Sequence, residues 1–153
     1  MTLTREEFLD YSREYTIIPV WRELVADQVT PVAAFARVVG DDSGFLLESV
    51  ENGERWSRWS FIGRNPLLTI SKDDNEISID GEIPLPIESK KGILELVKSL
   101  QETLKTPKID ALPPMYSGLI GYLGYDIVRE IEDLPLIPNN DLELPAAILS
   151  IIG

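Results

Sequence analysis

An α+β fold, an antiparallel β-sheet meander with a few flanking helices, is what this sequence predicts. Three observations predict it. Between Phe45 and Gly81, short apolar or alternating stretches are separated by turn signals at Asn52-Gly53, Gly63-Arg64-Asn65-Pro66, Asp73-Asp74-Asn75 and Asp80-Gly81. Helical spacing of apolar residues appears in only a few places, and strands and helices never alternate as regular βαβ units. A length of 153 residues with 44% hydrophobic side chains suits one core, so residues 1–153 are expected to form a single domain.

Thr4-Arg5-Glu6-Glu7 is a capping-box pattern, in which the threonine and the glutamate satisfy exposed amides at a helix start. Phe8, Tyr11 and Tyr15 follow at helical spacing, which predicts a helix over residues 5–14. Tyr15 to Leu24 alternates and reads as extended, with Pro19 at an edge or a strand start. Thr30-Pro31 predicts a second helix start, because proline at the first helical position loses no hydrogen bond. Val32, Phe35, Ala36 and Val39 form its apolar stripe, and Gly40 ends it.

The stretch from Phe45 to Pro66 is the centre of the pattern. Phe45-Leu46-Leu47 reads as a strand, Asn52-Gly53 as the reversal, since both residues tolerate positive φ, and Trp56 to Ile62 as the returning strand. Ser57, Trp59 and Phe61 share one face of that strand; Trp56, Arg58, Ser60 and Ile62 share the other. Aromatics on both faces call for cover on both sides. Leu67 to Ser71 and the alternation around Ile77 and Ile79 continue the meander. Pro84 and Pro86 break it. Ile93, Leu96, Val97, Leu100 and Leu104 then predict an amphipathic helix over residues 90–104, with Lys90, Lys91, Glu95, Lys98 and Glu102 toward water. Pro107 and Pro113-Pro114 bracket a loop. Tyr116 to Tyr122 reads as a buried glycine-rich strand, and Asp126 as the cap of a short helix carrying Arg129 and Glu132. Residues 134–153 finish on an apolar strand-like run without a polar exit, the pattern of a truncated product.

Charge and composition exclude whole classes of function. With 14 Lys plus Arg against 26 Asp plus Glu, the formal charge is −12, which disfavours nucleic acid and anionic membranes. The chain has no cysteine and no histidine, which removes disulfides, thiolate or imidazole metal sites and any Ser-His-Asp triad. Its first residues are acidic, unlike a signal peptide, and no apolar run approaches the ~20 residues that span a bilayer. A cytoplasmic location is expected. Asp41-Asp42-Ser43-Gly44 and Asp73-Asp74-Asn75 lack the ligand alternation of a calcium loop and read as turns. Gly118, Gly121 and Gly124 fit neither a dinucleotide fingerprint nor a P-loop and read as close strand packing. Arg58 and Arg129 read as partners of carboxylates rather than of a substrate.

Several ordered segments together carry a family resemblance. These are Ile18-Pro19-Val20-Trp21-Arg22-Glu23, Thr30-Pro31-Val32, Leu47-Glu48-Ser49, residues 57–63 (Ser-Arg-Trp-Ser-Phe-Ile-Gly), and Gly118-Leu119-Ile120-Gly121-Tyr122-Leu123-Gly124-Tyr125-Asp126 with Arg129. In this order they resemble the N-terminal domain of anthranilate synthase component I, over most of the chain. Aminodeoxychorismate synthase component I is a close relative that shares most of them. Ser117 departs from the pattern, where the family usually has glycine.

On the residues alone, Glu48-Ser49 is either a polar strand end or part of a ligand site. The resemblance implies the second, because in anthranilate synthases the serine of this Leu-Glu-Ser segment lies in the pocket for feedback inhibition by L-tryptophan. Such a ligand needs an acceptor for its ammonium, donors for its carboxylate and an apolar slot for indole. Glu48 and Ser49 would supply polar contacts, with Val50 beside them and Ser57 facing the same pocket from the partner strand.

The resemblance further implies that chorismate and Mg²⁺ are bound by a C-terminal half whose segments have no counterpart here, so no catalytic residue, metal ligand or cofactor is assigned to this chain. A full enzyme would convert chorismate and ammonia to anthranilate and pyruvate, the ammonia coming from glutamine through a partner amidotransferase, component II. Three readings follow. The chain is the regulatory and structural domain of an anthranilate synthase; the matching domain of an aminodeoxychorismate synthase in folate synthesis; or a stand-alone, non-catalytic interaction module. The resemblance also implies that the two halves of the full enzyme intertwine their sheets, so self-association of this fragment is expected, since cutting such a sheet exposes strand edges and an apolar face.

Overall fold

The structure, a computed structural model, describes residues 3–48, 59–73, 76–81, 92–136 and 142–152. Its residues group into two compact units, one drawn from Met1–Pro66, Thr106–Gly118 and Ile152–Gly153, the other from Leu67–Lys105 and Leu119–Ile151. Two antiparallel sheets and a few helices make the fold α+β, as the turn-punctuated pattern predicts.

In the first unit, helix α1 (Arg5–Tyr11) begins at the predicted capping box. Glu7 N donates to Thr4 Oγ1 at 3.2 Å and Thr4 N to Glu7 Oε2 at 2.8 Å. The helix stops at Tyr11 rather than at residue 14, and none of its residues is buried. Tyr11 and Tyr15 meet edge to face, 5.8 Å between ring centres. Residues 15–24, expected to be extended, join no described sheet. Helix α2 (Pro31–Val38) starts at the Thr30 cap, where Ala33 N donates to Thr30 Oγ1 at 3.2 Å. Of its predicted stripe, Val39 is buried and Phe35 half-buried, but Val32 remains 61% exposed. Gly40 follows at φ +61°, a left-handed turn that glycine adopts without Cβ strain.

That turn delivers strand β1 (Gly44–Glu48), which pairs antiparallel with β2 (Ser60–Arg64), Phe45 opposite Gly63 and Glu48 opposite Ser60. A Cβ on Gly63 would run into the Phe45 ring, so the aromatic takes the space a side chain would have used. Arg64 ties the strand to the helix. Its Nη1 donates to the Val38 carbonyl at 2.6 Å, at the end of α2, and its Nη2 lies 3.6 Å from Asp42 Oδ2. The predicted reversal at Asn52-Gly53 and the start of the return strand at Trp56 lie outside the described residues.

The second unit is a four-stranded sheet under one helix. Its strands are β3 (Leu68–Asp73), β4 (Glu76–Gly81), β5 (Gly118–Leu123) and β6 (Ala147–Ile152), in the order β4-β3-β6-β5. β3 runs antiparallel to both neighbours, with Ile70 opposite Ile79 and Leu149. Alternation puts Leu68, Ile70, Ala147, Leu149 and Ile151 on one face, against Ile93, Leu96 and Leu100 of helix α3 (Ile93–Thr103) and against Ile127. On the strands' other face, Thr69 and Ser150 pair through their hydroxyls at 3.1 Å. Asp80-Gly81, expected to turn, instead closes β4, opposite Thr69 and Leu68. The strand expected to be buried, β5, begins at Gly118 and forms the sheet's edge, with Tyr122 and Leu123 exposed. A 3-10 helix over Tyr125–Glu130 follows; Gly124 sits at its cap, while Asp126, expected there, accepts from Arg129 Nε at 2.8 Å.

Candidate functional site

Of the four residues predicted to form a ligand site, Glu48 is the one that falls among the described residues; Ser49, Val50 and Ser57 lie outside them. Glu48 is the last residue of β1, exposed and opposite Ser60. It ends the ladder that the Phe45–Gly63 packing and the Arg64–Val38 bond fix in place. The carboxylate has no ion-pair partner among the described residues. Trp59 just precedes β2 with half its surface exposed. Because Glu48 is opposite Ser60, its side chain shares that residue's face, and Trp59 projects from the other.

Arg129 takes the structural role expected of it. Besides Asp126, it donates from Nη1 to the Leu134 carbonyl at 2.9 Å and from Nη2 to the Leu136 carbonyl at 2.6 Å. Arg58 lies outside the described residues.

Sequence reasoning missed a tighter polar arrangement in the second unit. Glu130, at the end of the 3-10 helix, accepts from Lys72 Nζ at 2.5 Å, Ile93 N at 2.9 Å and Leu94 N at 3.0 Å. Its carboxylate therefore caps α3 from a distant part of the chain. Burial opposes ionisation there, but the Lys72 hydrogen bond, the Leu94 and Ile93 amides and the Lys72 charge together hold Glu130 below the usual carboxylate range. Gly92 at the N-cap has no side chain because a Cβ would strike this carboxylate. A glycine before an apolar helix, where Ser, Thr, Asp or Asn usually stands, was the available signal. Another oddity is Trp21, whose Nε1 is enclosed without a hydrogen-bond partner among the described residues.

Among the described residues, no group of three or more Asp, Glu, His or Cys side chains could hold a metal ion. Nor is any described helix long and apolar enough to cross a membrane.

No protein-family model matches the chain. Individual proteins do. Anthranilate synthase component 1 of Mycolicibacterium smegmatis is 39% identical over 149 residues, covering 97% of this chain and 28% of the relative. The protein of the same name from Acetivibrio thermocellus is 37% identical over 142 residues, 93% of this chain and 29% of the relative. That of Arthrobacter globiformis is 34% identical over 148 residues, 96% and 28% respectively. The chain thus spans less than a third of the length of these curated relatives.

Proposed function

We infer, for a chain homologous over nearly its whole length to the N-terminal region of anthranilate synthase component 1, a regulatory and structural role in making anthranilate for tryptophan synthesis. The observation that carries this reading is the near-complete coverage at 34–39% identity by relatives of one name. By the same reading, the complete enzyme acts on chorismate with Mg²⁺, and a glutamine amidotransferase, component II, supplies ammonia. Catalysis belongs to the part of the relatives' length beyond the match.

The regulatory part of the proposal is that Glu48, Ser49, Val50 and Ser57 contribute to a pocket for L-tryptophan. Glu48 would accept the α-ammonium, and Ser49 with nearby amides would donate to the carboxylate. Support comes from the exposed position of Glu48 at the end of β1 and from the chemistry of a zwitterionic ligand, which needs opposite polar groups a few ångströms apart.

A chimera tests it. The matching region of the M. smegmatis relative is replaced by this chain, and anthranilate fluorescence is followed with rising L-tryptophan, with and without Ser49→Phe. Inhibition of the parent chimera and its relief by Ser49→Phe are expected, because phenylalanine fills the polar end of the pocket. Equal inhibition of both would remove Ser49 from the site; an active chimera insensitive to tryptophan would remove the regulatory role.

A further inference from the structure

We propose that the β4 edge of the four-stranded sheet takes up an extended protein segment in which apolar residues alternate with lysine or arginine. β4 has one sheet neighbour, β3, and all of its residues except Ile77 are exposed. A strand in that position turns half of its backbone N–H and C=O groups outward, a template for one further strand. Register places the side chains along it. Ile79 lies opposite Ile70, and Ile70 opposite Leu149, so the row that packs under α3 runs out to the edge. Along that row Leu149 is 8% exposed, Ile70 0% and Ile79 43%. The apolar row therefore ends without cover, and an apolar side chain on an added strand would extend it.

The other face of the edge is acidic. Asp80 lies opposite Thr69, Ser78 opposite Ser71 and Glu76 opposite Asp73, and residues opposed across a ladder share a face. Together they form one continuous strip of carboxylates and hydroxyls, which Ser150 extends beside Thr69. Glu76 against Asp73 sets like charges directly across the ladder, a repulsion that an approaching cation relieves. The sheet supplies no such cation on this face. Lys72 is the only basic residue in the four strands; it stands opposite Ile77 on the core face, and its ammonium is bound to Glu130. A strand pairing with β4 thus meets carboxylates and hydroxyls on one side and an unfinished apolar row on the other, the complement of a basic and apolar alternation. A second copy of β4 would set carboxylates against carboxylates and bring another net charge of −12, which disfavours self-pairing at this edge.

The probe is a short synthetic peptide of alternating valine and lysine. One counterpart carries glutamate for lysine; another keeps the lysines but is N-methylated on alternate backbone nitrogens, which blocks strand pairing. Binding to the full 153-residue chain is followed by amide chemical shifts and amide exchange. The lysine peptide is expected to move resonances over residues 76–81, to slow β4 amides that exchange freely in the chain alone, and to bind on the order of tenfold more tightly than the glutamate peptide. Glu76→Lys combined with Asp80→Lys, both at exposed positions, is expected to reverse that preference. Equal binding of the N-methylated peptide would mean unspecific attraction to an acidic protein. Binding of none of the peptides would leave the carboxylates as a guard of the edge against aggregation. If every β4 amide is slow to exchange in the chain alone, the chain's own residues cover the edge; if slowing follows protein concentration, a second copy does. Each of these results would overturn the proposal.

Discussion

Replacing Glu130 should unseat α3 from its sheet. The carboxylate accepts three hydrogen bonds, one from the Lys72 ammonium and two from the first amides of the helix. Lys72 and Glu130 are only 14% and 15% exposed. With Glu130→Ala, the helix loses its cap, worth about 1 kcal/mol. The largely enclosed ammonium loses its counter-charge, adding roughly 1–3 kcal/mol because solvent reaches it in part. A total of about 2–4 kcal/mol is a large share of the roughly 5–15 kcal/mol that holds a domain together. Alone, an 11-residue helix has little stability in water, so α3 depends on this cap and on Ile93, Leu96 and Leu100. Glu130→Gln keeps the shape and removes the charge; it should cost less, about 1–2 kcal/mol.

Urea unfolding at pH 7 measures both variants, and amide exchange at Ile93 and Leu94 locates the effect. Lys72→Met combined with Glu130→Gln should recover part of the loss, since the enclosed ammonium goes too. The pH dependence has a definite sign. Because Glu130 titrates lower in the folded protein than its ordinary 4.5, its contribution is complete above that value and disappears as pH falls through the folded-state value. The stability gap between the parent and Glu130→Gln should be flat near neutrality and narrow below about pH 4.5. A Glu130→Ala change below about 0.5 kcal/mol, or a gap that widens in acid, would refute the reasoning.

Three further outcomes are expected. Gly121→Ala drives a Cβ into the Ile148 carbonyl and should strip β5 from β6, costing about 2 kcal/mol or more, read by urea unfolding and by exchange of the Gly124 amide. Thr4→Ala removes one half of the capping box of a helix that buries nothing, so the first-turn amides of α1 should exchange faster while the global unfolding midpoint stays put. Purified free of host synthase, the chain should form no fluorescent anthranilate from chorismate, Mg²⁺ and ammonia; product above a no-protein control would contradict the placement of catalysis elsewhere.

What could be read in advance was what neighbours in sequence decide. Thr4 and Thr30 cap helices because their hydroxyls need only reach an amide three residues on. The stripe of Ile93, Leu96 and Leu100 and the alternation of Leu68 and Ile70 were legible because burial follows the periods of helix and strand. Choices between distant segments were not. Nothing local told β6 to enter between β3 and β5, and nothing local kept residues 15–24 out of a sheet despite their alternation. Glu130 meets α3 and Lys72 only after the chain has folded across 58 positions from that lysine. Of the candidate ligand site, Glu48 is placed at an exposed strand end, and the other three residues lie outside what the structure describes.

Of the three glycines read as close strand packing, Gly121 and Gly124 take that role, whereas a Cβ on Gly118 would meet nothing within 4 Å. A phosphate cradle needs backbone amides left free to point at the anion. Here the Gly124 amide already donates to the Ala146 carbonyl at 2.7 Å, and the faces of Gly121 and Gly124 lie against the Ile148 and Ala146 carbonyls. Both glycines are therefore occupied by the approach of β6, and carbonyl oxygens, not amides, stand where an anion would have to enter. The spacing of Gly121 and Gly124, which fits no nucleotide-loop fingerprint, is what lets the strand at the sheet's edge come close to its neighbour. A bulky residue at either position would be resisted by backbone rather than by a movable side chain, which is why the cost assigned to Gly121→Ala falls on the β5–β6 pairing itself.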